Sequence, residues 1–322
     1  MTNELFTPSK AYKPFRFPWA YEAWLEHEQM HWLFGEVPLA DDVRDWVQKL
    51  TESERNLVTH IFRLFTQSDV EVENAYLDLY MPKFKPTEIR MMLSGFAARE
   101  SIHQASYSYL LDTIGMPETE YSAFLEYTEM ADKHEYLKKF NMDTPHNTAL
   151  SMAVFGAFTE GLQLFASFAM LLNFPRFGKM KGVGQIVTWS VRDEGSHVTA
   201  IVRLFHELMA EDKTINREEL ARDITSACHE IVTNEDAFID LVFEMGPVEG
   251  LTADDVKQYI RFVANMRMRQ LGLPEQFDVP ANPLPWIDEM MNAVEHASFF
   301  EQRATEYSRA ATTGTWSDVF PD

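Results

Sequence analysis

The sequence predicts an all-α protein, and three observations support that fold class. Its 322 residues include only 13 glycines and 15 prolines, the residues that most often interrupt helices. Long segments carry apolar side chains at intervals of three and four residues, which places those side chains on one face of a helix. Runs that alternate apolar and polar residues, as half-buried strands do, are absent from the sequence. We therefore expect a bundle of long helices.

The limits of the helices follow from capping residues and helix breakers. Thr51 and Glu54 form a capping-box pattern, which starts a long helix. Pro82 and Pro86 separate that helix from the next one. Helices are predicted at about residues 51–80, 87–115, 118–134, 147–173, 183–210, 216–245 and 252–271, with a last one from residue 285. No linker-like composition divides the chain, so we expect one helical domain over residues 1–307 and a flexible tail over residues 308–322.

Charge and cysteine content exclude several functions. The formal net charge is −22, which disfavours duplex nucleic acid or an anionic membrane as a partner because both attract positive surfaces. The single cysteine, Cys228, allows no intrachain disulfide and no cysteine-built zinc site. The first residues lack the apolar stretch of a signal peptide. A reducing, cytoplasmic setting is the expectation.

One segment, residues 148–172, is almost wholly apolar and long enough to span a bilayer. Glu160 and Gln163 lie at its centre, where an ionisable group is costly and usually functional. No other segment is of this kind, so we expect the central helix of a bundle, apolar on all sides because it is buried on all sides. No membrane partner is expected, and a buried Glu160 then needs a function.

Three Glu-x-x-His pairs are the first sign of chemistry. On a helix, residues three apart share a face, so the carboxylate and the imidazole can bind the same iron or manganese ion. The pairs are Glu28/His31, Glu100/His103 and Glu194/His197. The first has no preceding helix that could supply a partner, and it is interpreted as a surface pair. Each of the other two lies on a long helix that follows a helix with one acid in an apolar setting.

The register of the two predicted helix hairpins brings those acids level with the pairs. The midpoint between Asp69 and Glu100 falls between residues 84 and 85, and that between Glu160 and Glu194 falls at residue 177. Helix breakers flank both points, so each hairpin places its two acids side by side. The pattern is typical of a di-metal carboxylate helix bundle. The predicted ligands of two metal ions are Asp69, Glu100, His103, Glu160, Glu194 and His197.

Tyr107 is the next candidate, because it follows His103 by four residues and so lies on the same helix face. A phenol beside an oxygen-activating metal pair can lose an electron and a proton to the oxidised centre. Tyr109 is two positions further along and is expected to point elsewhere, as a core residue.

Over most of the chain the sequence resembles the small, radical-generating subunit of class I ribonucleotide reductase, and four segments around these residues carry the resemblance. They read FTQSDVEVENAY around Asp69, ARESIHQASY up to Tyr107, FTEGLQLF around Glu160 and VRDEGSH around Glu194. The resemblance implies a ferritin-like helix bundle with additional helices. It implies further that Tyr107 holds a stable tyrosyl radical.

The resemblance also implies roles for residues outside the ligand set. Asp193 matches an acid that bonds a ligand histidine, here His103, and Trp32 matches the tryptophan at the start of an electron path. Tyr307 matches the tyrosine that passes the radical onward. Ser190 stands where the family pattern suggests a more apolar neighbour of the radical tyrosine, and a polar group there would change its hydrogen bonding or the radical's lifetime.

The function implied is that of a subunit that is inactive in reduction by itself. Two metal ions, first of all two irons and alternatively manganese with iron or two manganese ions, would react with O2 or a reduced oxygen species and oxidise Tyr107. The radical would pass to a large catalytic (alpha) subunit that reduces ribonucleoside diphosphates, with triphosphates left open. A homodimer is expected, and residues 308–322 would dock on the large subunit. The need for a flavoprotein in activation is left open.

Two other functions compete with this interpretation. A metal-dependent, ligand-binding oxidase or hydroxylase of the same superfamily would form no long-lived radical and have no use for the tail. A ferritin-like iron-storage bundle would normally be much shorter and would not need Tyr107. The single cysteine favours a subunit that depends on a partner, because the family's reductive chemistry uses several cysteines.

Overall fold

The computed structural model describes residues 3–291, and within them the all-α prediction is confirmed, with no strand. We number the main helices in chain order. They are α1 Pro18–Gln29, α2 Ala40–Gln48, α3 Glu52–Asn74, α4 Thr87–Ile114, α5 Thr128–Leu137, α6 Pro145–Arg176, α7 Lys181–Glu211, α8 Arg217–Val242 and α9 Ala253–Gln270. All belong to one compact unit that ends at Pro283. A second unit starts at Leu284, and its described part is helical over residues 285–291.

Helix α3 begins at the predicted capping box. The Thr51 hydroxyl accepts a hydrogen bond from the Glu54 backbone N–H, and the Glu54 carboxylate accepts one from the Thr51 N–H. The helix does not stop at Pro82, because a wide π-helical segment, Ala75–Tyr80, and a last turn, Met81–Lys83, continue it. Pro82 lies in the last turn of this continuous helix, and the chain leaves the helix at Phe84, which is extended.

The apolar helix α6 is the central element of the fold. It is long and apolar enough to cross a membrane, but 94% of its apolar window is buried inside the protein, as expected for a core helix. Its middle, Ala153–Gln163, is π-helical, which the sequence did not predict. Side chains donate hydrogen bonds to backbone carbonyl groups of this wide segment. Thr159 Oγ1 donates to Val154 O at 3.1 Å, and Arg267 Nε donates to Gly161 O at 2.8 Å.

The predicted helix at 118–134 is wrong in its limits. The chain forms a 3₁₀ segment, Glu118–Glu126, and only then enters α5. Tyr127 is extended, which interrupts the helix between them. Arg63 of α3 stabilises this interruption between the two segments. Its guanidinium donates hydrogen bonds to Glu120 Oε2 at 2.6 Å and to Tyr127 Oη at 2.8 Å.

Four helices, α3, α4, α6 and α7, surround the site, and the remaining elements pack outside them. Helix α3 lies along α4, and α7 lies along α6 on the other side of the site. Helix α1 packs on α4 and also contacts α7, while α8 and α9 cover the π-helical middle of α6. This arrangement buries the inner faces of the four site helices on every side.

Candidate metal centre

His103, on α4, faces three of the four predicted ligand acids. Its Nδ1 lies 3.1 Å from Glu194 Oε1 and 3.2 Å from Glu100 Oε2. The same nitrogen lies 4.0 Å from Asp69 Oδ2 on α3. Asp69, Glu100 and His103 thus form one buried group that could hold a metal ion.

His197, on α7, is surrounded in the same way on the opposite side. Its Nδ1 lies 3.0 Å from Glu100 Oε1 and 3.3 Å from Glu194 Oε2. Glu160, in the π-helical part of α6, has its Oε1 at 3.7 Å. Glu100, Glu160, Glu194 and His197 form a second buried group that could hold an ion.

Glu100 and Glu194 each lie within 3.3 Å of both histidines. The two groups therefore have the form of one site for two ions with two shared acids. Each of the six side chains is at most 1% exposed. Both carboxylate oxygens of Asp69 and of Glu160 lack a hydrogen-bond partner among the described residues. Four carboxylates buried this way would repel one another, and two divalent cations would neutralise them. The residues present therefore fit a di-metal centre with oxygen and nitrogen ligands.

The pKa values of these acids differ with their neighbours. Burial, reinforced by the charge of Glu100, raises the pKa of Asp69 well above its ordinary value. Burial also raises the pKa of Glu160 to about 8, although His197 opposes the change. Burial alone would raise the pKa of Glu100, but the charge of His103 and hydrogen bonds with both ligand histidines lower it to about 2. Acids with raised pKa values, such as Asp69 and Glu160, would release protons when divalent cations bind between them.

Asp193 contacts His103 at Nε2, the ring nitrogen that does not face the ligand acids. Its Oδ2 lies 3.3 Å from His103 Nε2, and it accepts hydrogen bonds from Trp32 Nε1 at 2.7 Å and Arg99 Nη1 at 2.8 Å. Burial would raise the pKa of Asp193, but His103 and Arg99 hold that pKa well below the ordinary value. An ionised Asp193 can accept the Nε2 proton of His103, so that with an ion bound the neutral ring would present its Nδ1 lone pair to that ion.

His27, on α1, contacts His197 at the corresponding ring nitrogen. The sequence analysis did not predict this residue. Its Nε2 lies 3.1 Å from His197 Nε2, and the residue is 1% exposed. Burial, aided by the charge of His197, lowers the pKa of His27 to about 2. A neutral His27 can accept the Nε2 proton of His197, which leaves His197 Nδ1 free to bind an ion. No motif marks His27, which directly precedes Glu28 of the exposed Glu28/His31 pair.

Tyr107 lies beside the His103 group in an apolar pocket. Its hydroxyl donates to Ser190 Oγ at 3.0 Å, and Ser190 Oγ donates in turn to Ile186 O at 3.1 Å. Its ring stacks on Phe65 at 4.4 Å and lies 6.4 Å from the His103 ring, both between centroids. Burial, followed by the charge of Asp69, raises the pKa of Tyr107 well above its ordinary value, so the phenol keeps its proton.

Comparison with known proteins assigns this chain to a family. Residues 9–283 match the family described as ribonucleotide reductase, small chain. The chain belongs to this family. It is 43% identical to a probable ribonucleoside-diphosphate reductase small subunit of Invertebrate iridescent virus 6, with 96% of each chain covered. It is 42% identical to the corresponding protein of Invertebrate iridescent virus 3, with 97% of this chain and 88% of that one covered.

Solved ribonucleotide reductase structures share the fold of this small chain. The R2 subunit from Clostridium botulinum matches with a TM-score of 0.81 at 23% identity, covering 88% of this chain and 91% of that one. A dimanganese(II)-NrdF of Streptococcus sanguinis gives 0.75 at 20% identity, with 86% and 96% covered. A ribonucleotide reductase homodimer from Saccharomyces cerevisiae gives 0.75 at 18% identity, with 94% and 92% covered.

The remaining predicted residues of this ribonucleotide reductase small chain fall in three places. Trp32 is 2% exposed and stacks on His103, with centroids 5.9 Å apart. Tyr109 is half-buried against Phe34, and the Glu28/His31 pair is exposed, so neither reaches the acids. Tyr307 and the whole predicted tail lie outside the described residues.

Proposed function

We propose that this small chain holds two metal ions between its six buried ligands and uses them to make a radical on Tyr107. The observation that carries the proposal is the convergence of four acids and two imidazoles beside a buried, protonated phenol. Family membership supports it, and it favours neither the oxidase or hydroxylase alternative nor the storage alternative.

Each ligand has a definite task in the proposed site. Glu100 and Glu194 lie between the two histidines and would help to hold both ions, while Asp69 would help to hold the ion beside His103 and Glu160 the ion beside His197. When bound, the ions would supply, after reaction with O2 or a reduced oxygen species, the one-electron oxidising chemistry that the phenol requires.

The protein's own residues then govern what happens to Tyr107. Ser190 accepts the phenolic hydrogen bond and so fixes the position of the proton that must leave on oxidation. Phe65 and the other buried neighbours keep water from the ring. Trp32, held by Asp193 next to His103, would start the path by which the oxidising equivalent leaves.

The partners of this path lie beyond the described chain. Tyr307 would pass the radical to a large catalytic subunit, and residues 308–322 would dock on that subunit. We infer a homodimer, as in the similar yeast structure, and a cytoplasmic setting. The named relatives are ribonucleoside-diphosphate reductases, which favours diphosphate substrates. Two irons are the first choice of metal, and a dimanganese relative of the same fold keeps manganese open.

The proposal is tested by electron paramagnetic resonance. Metal-loaded protein exposed to oxygen should give a tyrosyl signal that is lost in Tyr107→Phe while metal content stays the same. Tyr109→Phe is the matched control, because Tyr109 lies on the same helix but packs on Phe34, and it should leave the signal unchanged. A signal that survives in Tyr107→Phe would assign the radical elsewhere.

A further inference from the structure

Arg99, on α4, is a buried arginine with hydrogen-bond partners on both sides of the metal site. Its Nη1 donates to Asp193 Oδ2 at 2.8 Å, and its Nη2 donates to the backbone carbonyl of His27 at 3.2 Å. Asp193 contacts the ligand His103. The His27 ring contacts the other ligand histidine, His197. We propose that Arg99 is a positioning residue that holds the outer contacts of both ligand histidines in place.

Arg99 contacts α1 at the end of that helix. Helix α1 ends at Gln29, and carbonyl groups in the last turn of a helix lack the usual N–H partner one turn further on. Arg99 donates to two carbonyl groups there, His27 O at 3.2 Å and Met30 O at 3.1 Å. A positive side chain at this end of a helix also interacts favourably with the helix dipole. The turn that carries the His27 side chain is therefore held against α4.

On the other side, Arg99 forms a buried ion pair with Asp193. The two side chains are 3% and 0% exposed. The same Asp193 oxygen accepts a hydrogen bond from Trp32 Nε1 at 2.7 Å and lies 3.3 Å from His103 Nε2. A buried charge that loses its partner is strongly destabilising, so this carboxylate needs a cation beside it. Arg99 supplies that charge and fixes the carboxylate that contacts His103.

A guanidinium suits both contacts at once because its N–H groups point in fixed, divergent directions. A lysine ammonium is a single point charge, and it is expected to stay with the ionised carboxylate, since hydrogen bonds between two charged groups are the stronger ones. If Arg99 only neutralised Asp193, lysine would replace it without loss. If Arg99 also positions His27, Arg99→Lys should keep the contact with Asp193 and lose the one with α1.

The experiment measures each half of the metal site separately. Crystals of wild type, Arg99→Lys and Arg99→Met are soaked at graded manganese(II) concentrations, and anomalous scattering gives the occupancy beside each ligand histidine. This readout rests on the proposed function. The same variants are therefore also crystallised without metal, and the distance between His27 Nε2 and His197 Nε2 is measured. A wild type that binds no ion would contradict the proposed function, while the metal-free distance would still decide on Arg99.

In Arg99→Lys, the position beside His197 should need about tenfold more manganese(II) for half occupancy, the lower end of what loss of such a supporting contact costs. The position beside His103 should fill as in wild type. Without metal, His27 Nε2 and His197 Nε2, which are 3.1 Å apart in the wild type, should separate beyond about 3.5 Å. In Arg99→Met, which keeps neither contact, both positions should bind manganese(II) more weakly.

Arg192→Met is the matched control. Arg192 also donates to Met30 O, at 2.8 Å, and its Nη2 lies 3.4 Å from Asp193 Oδ1, but its hydrogen bonds do not include the His27 carbonyl. This variant should leave the occupancy beside His197 and the distance between the two Nε2 atoms unchanged. Circular dichroism and urea unfolding establish that each variant is folded.

Arg99→Lys decides the question even if Arg99→Met does not fold, because lysine keeps a positive charge beside Asp193. Wild-type affinity beside His197, or an unchanged distance from His27 to His197, in folded Arg99→Lys would overturn the proposal. A loss confined to the position beside His103 in folded Arg99→Met would also overturn it, because Arg99 would then act through Asp193 alone.

Discussion

The two ligand histidines differ in the residue that fixes each one. His103 has an ionised acid, Asp193, behind it, while His197 has a neutral imidazole, His27. Both acceptors fix the tautomer of the ring that they hold, and the charged acid raises the basicity of that ring more than the neutral imidazole does. The two halves of the metal site are thus expected to differ in affinity.

His27→Phe should weaken metal binding by about 10- to 100-fold, because His197 loses the acceptor that holds its Nδ1 towards the acids. His27→Gln, whose side-chain oxygen can accept the same hydrogen bond, should bind nearly as well as wild type. Competition with a chelating dye measures both. His31→Phe is the control at an exposed histidine nearby, and equal affinity in wild type and His27→Phe would remove His27 from the site.

At the scale of elements, the π-helical middle of α6 determines where Glu160 lies. Close packing fixes this segment: a Cβ built on Gly156 would come within 2.8 Å of Ile201 Cβ and still closer to a methyl group of that side chain. The backbone of α6 therefore approaches α7 at Gly156, one turn before the ligand.

Gly156→Ala should destabilise the metal-free protein by about 1–3 kcal/mol, because the added methyl overpacks the contact with Ile201. Gly195→Ala is the matched control, since Gly195 is also helical and has nothing within 4 Å of its added Cβ. That variant should be more stable than wild type by about 1 kcal/mol, from helix propensity. Urea unfolding measures both, and an unchanged stability of Gly156→Ala would contradict the packing described.

Sequence reasoning predicted which acids and histidines come together, but it predicted neither His27 nor the π-helical segments, for a physical reason. Asp69, Glu100, Glu160 and Glu194 could be found because hairpin register depends only on positions along the chain. The π-helical segments, Ala75–Tyr80 and Ala153–Gln163, depend instead on side chains such as Arg267, which come from distant helices. Such contacts leave no periodicity to detect.

Over the whole molecule, the same limit applies to α1. No role in the site was predicted for it, because its Glu28/His31 pair has no preceding helix that could supply a partner and was interpreted as a surface pair. Packing on α4 and α7 nevertheless brings His27 to His197, and the chain that follows it brings Trp32 to Asp193. The fold class and the central buried helix were predicted correctly because they depend on composition and periodicity alone.

Assembly with a large subunit gives a prediction for the tail. Deleting residues 313–322, which contain Trp316, Val319 and Phe320, should leave metal content and the Tyr107 radical intact but abolish nucleotide reduction, because the subunits no longer associate. Tyr307→Phe should keep association and lose turnover, since phenylalanine is too hard to oxidise. Association is measured by sedimentation and turnover with the large subunit added. Full turnover in the truncated protein would contradict the docking role of the tail, and full turnover in Tyr307→Phe would contradict the relay role of Tyr307.

The central claim is that six buried side chains form one site for two metal ions. Anomalous diffraction from crystals grown with manganese(II) tests it most directly, because it locates each ion among the side chains. We predict two peaks per chain that share Glu100 and Glu194, one beside His103 and one beside His197. A single peak, or none among these acids in crystals saturated with the metal, would contradict the claim.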